Sequence, residues 1–480
     1  MKNFKLKIFI LVLLMFCVSN VKAMTIDKDT KLTEDINDIV IVDGKTVEID
    51  LNGHKITYAS QPKKNEPALL ATNGAVVTIK GEGTIESTNY NGITISEGSK
   101  VILKSGNVKA VEFGVLVAKN STFTMDGGTI TTIDNCGVGG NGKSEYGDYT
   151  ININGGVINA NIKTAGYVSC GIYHPNRGTV NISGGVINSS NGAGIVQRAG
   201  TLNITGGTIN TEEKTKDITG KVGDSRVVVP ASAIVVDKKA NYPQVTTLGA
   251  KISDNVVINS AAKNITIIKE DSDNFAVAAE GGIFTDEPTA DEIAEGYVSK
   301  KVISGNNKDK YVVVKESELK LQVVNEMISK DLVNNDEVKL IDKEIKDKYT
   351  LAAYYDVLLV KLTKNNDIVE YVSETDNKVK VTLKLPENLP KVKNNYIRKY
   401  YIVRIHNGKT TLIDDVTDNG DGTVSFMSDK FSTYALAYTD VLNSSNPATS
   451  DNLILHIILL SFSIISLVCI VTYKKKFILN

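Results

Sequence analysis

The amino-acid sequence predicts an all-β chain: a right-handed parallel β-helix, then a small antiparallel β-sandwich-like domain, with a C-terminal transmembrane helix beyond it. Three observations carry this expectation. Between Val77 and Ile209 a phrase made of a short strand and a glycine pair recurs. Within each copy apolar and polar residues alternate, so one face of the strand is dry and the other wet. From Leu453 to Tyr473 the chain is apolar and, at about 1.5 Å per helical residue, long enough to cross a bilayer.

Composition agrees with many short strands joined by tight turns, because Val, Ile, Thr and Asn are abundant and there are 38 Gly against 9 Pro. The net charge of −1 over 480 residues does not recommend nucleic acid as a partner. Of four cysteines, Cys17 and Cys469 fall in the apolar termini, and the remaining Cys136 and Cys170 are too few for a disulfide scaffold.

Residues 1–23 read as a secretory signal peptide. Lys2, Lys5 and Lys7 precede an apolar run from Ile8 to Val18, and Val21-Lys22-Ala23 suits cleavage after Ala23. Bulky Phe16 before Cys17 argues against a lipoprotein signal.

Residues 24–285 are assigned to the β-helix. Ile39 to Ile56 alternates strand and turn and opens it. The phrase then reads VTIKGEGTI from Val77, VILKSGNV from Val101, FTMDGGTI from Phe123, ININGGVI from Ile151, VNISGGVI from Val180 and LNITGGTI from Leu202. Its glycine-pair positions, Gly81, Ser105, Gly127, Gly155, Gly184 and Gly206, are separated by 24, 22, 28, 29 and 22 residues. A second phrase, Gly before Ile or Val, falls between the copies at Gly92, Gly114, Gly137, Gly171 and Gly194. Three strands per period, with no helical pattern between them, fit one coil of a parallel β-helix, each glycine pair marking a corner. Stacked coils should then align Asn159, Asn188 and Asn210 in a hydrogen-bonded ladder. The same stacking brings Cys136 and Cys170 onto adjacent coils, where a disulfide is geometrically allowed and two buried free thiols are expected. IDLNGHKI, Ile49 to Ile56, and the glycine-pair coils resemble the pectate-lyase-like β-helix domains of bacterial surface proteins. That resemblance implies a fold and not an activity, since the architecture carries lyases and inert stalks alike.

Residues 286–348 read as a closing segment and a partly helical connector, with Leu321, Val324, Met327 and Ile328 at irregular helical spacing. Residues 349–440 return to strands and form the sandwich-like module, with turns at His406–Gly408 and Asp418–Gly422. Its closing phrase FSTYALAY, Phe431 to Tyr438, resembles modules that precede sorting signals in wall-anchored proteins. Asp415, Asp418 and Asp421 lack the spacing and terminal Glu of a calcium loop, so a hairpin turn is expected there.

Residues 441–452 form a stalk containing Asn446-Pro447-Ala448-Thr449-Ser450, followed by the apolar span 453–473 and a tail, 474–480, that begins with Lys474, Lys475 and Lys476. Those lysines favour a cytoplasmic C-terminus. The order of motif, span and basic tail resembles the cell-wall sorting signals of Gram-positive bacteria. The resemblance implies that a sortase cuts between Thr449 and Ser450 and joins the Thr449 carbonyl to a peptidoglycan amine. Asn446 stands where Leu is commoner and Ser450 where Gly is commoner, which leaves the sortase class open; a plain tail anchor is the alternative.

Nothing in the sequence assembles a catalytic set. Serine-hydrolase and zinc motifs are absent, and no metal or cofactor is expected. Asp126, Asp134, Glu145 and Asp148 are scattered over the coil, although a polysaccharide-cleaving site needs carboxylates that converge. Of the four histidines, His54, His174, His406 and His456, only His174 has promising neighbours. Lys119, Lys143, Arg177 and Arg198 follow the Gly-Ile or Gly-Val strand on successive coils, with Tyr173, His174 and Gln197 nearby. Aligned, they would form an edge able to hold an anionic glycan; unaligned, they are an ordinary solvated face. The expectation is a cell-surface protein anchored to peptidoglycan by a sortase and in the membrane through its C-terminal segment. Its β-helix would serve adhesion or the binding of polysaccharide or a host matrix, with a wall-anchored polysaccharide lyase or glycoside hydrolase as the alternative.

Overall fold

Alternating residues from Val40 to Phe284 wind into nine coils of a parallel β-helix. In this computed structural model the described residues are 23–443, apart from 60–64, 162–168, 191, 213–216, 223–224, 238–247, 262 and 269–274. The signal peptide up to residue 22, the sorting motif, the span 453–473 and the basic tail lie outside them. Among the described residues no helix is long and apolar enough to cross a membrane.

Each coil has three strands, the last two running together in Thr201–Thr211 and Leu248–Ser260. The first belongs to a ten-stranded parallel sheet, which Met24–Thr25 completes ahead of the first coil, and the other two, on either side of the glycine corner, belong to a larger sheet. Side chains of equivalent residues stack inward in columns. One column runs Val40, Leu69, Ile93, Val115, Val138, Ile172, Ile195, Ile234, Ile265. A second runs Val47, Val77, Val101, Phe123, Ile151, Val180, Leu202, Ala250, Val277. All are buried, and each large aliphatic side chain removed from water contributes about 1.5–3 kcal/mol. The expected repeat is therefore present in register, and it extends one coil before and two after the copies legible as glycine-pair phrases.

The two glycine phrases have different causes. At the corner the second glycine of the pair takes a left-handed conformation, with φ 79° at Gly128 and 81° at Gly156 and Gly185, where a side chain would be strained. Gly171, in the other phrase, is needed for space. A Cβ there would collide with Ile187 Cγ2, and Gly137 and Gly194 stand in the same way against Ile158 and Ile209. A glycine column on one sheet thus accommodates an isoleucine column on the other.

Cys136 and Cys170 occupy adjacent coils and are joined as a disulfide, with Cα atoms 4.5 Å apart. This corrects the expectation of free thiols. Parallel stacking at the strand-to-strand distance already holds the two Cα atoms within the range a disulfide needs.

The last coil is closed by antiparallel pairing. Ile283–Phe284 pairs with Tyr311–Val314, which pairs with Val298–Lys301. This covers a sheet edge that would otherwise be open to other chains. A hairpin, Asp217–Val222 with Ser225–Pro230, is inserted between the seventh and eighth coils.

Two compact units result, one of residues through Lys320 with Leu362–Glu370, the other of Leu321–Lys361 with the residues from Tyr371 on. The second unit therefore begins earlier than residue 349. Lys320–Ile328, expected to be helical, is a strand at the edge of a six-stranded sheet, because pairing with Thr350–Leu362 outweighs the weak helical spacing. The helix lies further on, at Asn335–Ile345. The Asn334 side chain accepts from the Asp336 amide as its N-cap, and Val338, Ile341 and Ile345 are buried against Val403, Ile405 and Ala435. On the other face of the sheet Tyr355, Val357 and Leu359 meet Val381, Leu383 and Phe426 of a three-stranded sheet, which gives the sandwich. Asp418 and Asp421 cap the hairpin turn, accepting from the amides of Gly420 and Thr423.

Gly171→Ala is expected to destabilise the protein by about 1–3 kcal/mol, and the double variant carrying Ile187→Ala, which removes the clashing Cγ2, should lose less than the sum of the two single variants, measured by denaturant unfolding. Removing the disulfide through Cys136→Ala and Cys170→Ala together should cost about 2–4 kcal/mol, and reductant should then have no further effect on the midpoint.

Candidate functional site

Coil stacking decides where the candidate residues go. His174 pairs with Gln197 across neighbouring strands, so Arg198 stands one position beyond that row and Arg177 three beyond it. The offsets differ, and the expected basic edge does not form. Arg198 is only 1% exposed, its Nη2 3.1 Å from Asp237 Oδ2 and its guanidinium 5.8 Å from the centre of the Tyr173 ring. Tyr173 and Gln197 are buried too, and Gln197 Nε2 donates to the Gly200 carbonyl. On the surface Lys119 pairs with Glu97 and Arg177 with Asp148, while Lys143 is exposed and its carbonyl accepts from buried Asn176. Sequence reasoning placed these seven residues at or after the first strand of their coils. It missed that four of them, Tyr173, His174, Gln197 and Arg198, are buried.

His174 is completely buried, with Nδ1 2.9 Å from the Tyr149 hydroxyl. Its Nε2 faces the backbone of Gly178 and Thr201 without completing a hydrogen bond. Burial disfavours the imidazolium and lowers the pKa to about 4. The ring is neutral at pH 7 and out of reach of a polymer. The carboxylates do not converge on it, since Asp126 accepts from Asn154 Nδ2 and Asp148 faces Arg177. Among the described residues no group of three His, Cys, Asp or Glu is placed to hold a metal ion.

In the closing segment a cleft of about 160 Å³ is lined by Tyr297, Val314, Lys315 and Leu319. Lys315 Nζ lies 5.0 Å over the Tyr297 ring and so occupies the face on which a ligand would stack.

The outer surface of the larger sheet is more regular. Asn188 Nδ2 donates to Asn159 Oδ1 at 2.8 Å, Asn210 to Asn188 at 2.8 Å and Asn259 to Asn210 at 2.9 Å. Lys310 ends this ladder by donating to Asn259 Oδ1 at 3.1 Å. Across the corner Asn203 donates to Asn181 and Asn181 to Asn152. Both ladders are half-buried, so their amides are fixed by neighbours yet reach solvent. Along the corner itself, Gly81–Thr84, Ser105–Asn107 and Gly128–Thr129 border a shallow groove of about 750 Å³.

No protein-family model matches this chain, and no curated protein matches it.

The buried histidine has a pH signature. The unfolded chain protonates His174 near pH 6.5, whereas the folded protein resists until about pH 4. Stability contributed by neutral His174 is thus intact above that window and lost as pH falls through it, by roughly 3 kcal/mol in all. The unfolding free-energy difference between wild type and His174→Gln, measured at pH 7 and pH 4, should shift in favour of the variant at the lower pH.

Proposed function

We propose that this chain is exported and fixed to the cell wall, and that it acts without catalysis by displaying the β-helix for adhesion or for binding glycan or matrix. The observation that carries the binding half is the pair of asparagine ladders on the outer surface. They hold a regular polar array in one conformation before any partner arrives, and preorganisation of that kind reduces the entropy cost of binding. The buried, neutral His174 supports binding over cleavage, because the histidine with the most promising neighbours is closed to substrate. The Cys136–Cys170 disulfide supports export, since such bonds persist in oxidising compartments. The wall attachment rests on the motif Asn446–Ser450, the apolar span and the basic tail.

Attachment is tested in cells that carry a sortase able to read the motif. Wild-type chain should be released from washed walls only by peptidoglycan hydrolase, with Thr449 as the last residue on the wall fragment by mass spectrometry. Thr449→Ala should leave the chain extractable with detergent. Detergent extraction of the wild type would show a membrane anchor instead. Incubation with polysaccharides should release no reducing or unsaturated ends, and their appearance would replace this reading with an enzymatic one.

A further inference from the structure

Three successive coils carry no ionisable side chain on the outside of the larger sheet. Residues 149–161, 178–190 and 201–211 together hold 37 positions without an Asp, Glu, Lys, Arg or His, where the chain's 23% charged content would give about eight. The only titratable group among them is Tyr149, which is buried. Surfaces that meet only water are normally studded with charge.

What this face offers instead is ordered. Val157, Val186 and Thr208 stack in register as an outward, half-buried column of methyl groups. Beside it runs the ladder of Asn159, Asn188 and Asn210. Asn188 and Asn210 each spend one N–H and one oxygen lone pair on their neighbours, which leaves another of each for a partner. These repeat at the coil spacing of about 4.8 Å. The same register continues through Thr129, Asn107 and Thr84, and those three residues border the corner groove together with Glu82. Strip and groove are one surface.

We propose that this strip binds an extended, uncharged polysaccharide laid along the solenoid axis. The proposal rests on the glycan-binding reading above and names its site and ligand class. Sugar rings present C–H faces to the methyl column and hydroxyls to the amides, and both repeat along an extended chain as the coils do. Over the three neutral coils an anionic polymer would lose water from its carboxylates or sulfates with no cation to replace it, since Lys109, Lys251 and Lys310 lie beyond them.

The test uses the full-length chain in detergent micelles, with cellulose and a β-1,3-glucan as uncharged probes and polygalacturonate and hyaluronate as charged ones. Binding should favour an uncharged polymer and be insensitive to added salt. Val186→Glu and Thr208→Lys, which change outward positions, should each lower affinity about tenfold or more while leaving the melting temperature within a few degrees. Lys143→Ala and Arg177→Ala should have no effect. Uncharged-glycan binding that survives both strip variants, or a preference for the charged polymers, overturns the assignment of the site while the glycan-binding reading stands. No binding to any polymer removes both. If sedimentation velocity instead shows a dimer that the strip variants dissolve, the strip joins two copies of the chain and the proposal is wrong.

Discussion

The solenoid depends on one constraint, the parallel pairing of each coil with the next at the same register. A slip of one residue would turn every inward side chain of a strand to the outside, so the alternation of Ile151 and Ile153 with Asn152 specifies the pairing as strongly as the hydrogen bonds do. Once the register is fixed, identical positions lie above one another and small local interactions multiply. Ile187 finds the space left by Gly171, Asn188 finds Asn159, and Cys170 finds Cys136. None of these contacts would arise in a lone coil. The hairpin Asp217–Pro230 is absorbed because it leaves between coils, after which Ile195 still pairs with Ile234 and Ile209 with Ile258.

Polar groups follow the same logic at different cost. An outward asparagine ladder satisfies part of each amide and leaves the rest to water, so it costs little desolvation. The buried polar row is more expensive. Arg198 is buried beside Asp237, yet its Nε and Nη1 make no hydrogen bond, and Gln197 Oε1 is similarly unsatisfied. A buried pair of this kind adds little net stability, because the attraction mainly offsets the desolvation of two charges. Removing Asp237 alone would leave a buried cation, which makes the pair hard to change one residue at a time.

The fold was legible in the sequence because a solenoid writes its period into the chain. Gly127, Gly155, Gly184 and Gly206 all sit at corners, and the ladder of Asn159, Asn188 and Asn210 forms as its spacing predicts. The coils that begin near Val40 and Ile234 were harder to place because their corners lack the full glycine pair. Side-chain direction at the end of the first strand was not legible. Alternation stops there, and six successive residues, Gly192 to Gln197, are all buried, so no periodic signal told Arg198 from an exposed arginine. The strand at Lys320–Ile328 was hidden for a related reason. It is an edge strand with mostly exposed side chains, and its identity comes from its partner Thr350–Leu362, not from its own pattern.

The basic residues and the regular surface therefore separate. Lys119 and Arg177 are engaged by Glu97 and Asp148, Arg198 is buried, and their different offsets along the coil give no common line. The asparagine and threonine rows, by contrast, inherit their alignment from the backbone itself. A polymer that repeats along its length gains from every coil only where the protein repeats as well, and across Thr150–Asn161, 178–190 and 201–211 the repeating groups are neutral. Charge among the candidate basic residues follows no common line, whereas the periodicity of these coils is carried by amides, hydroxyls and methyls. Recognition built on that periodicity would select for shape and hydrogen bonding, not for net charge.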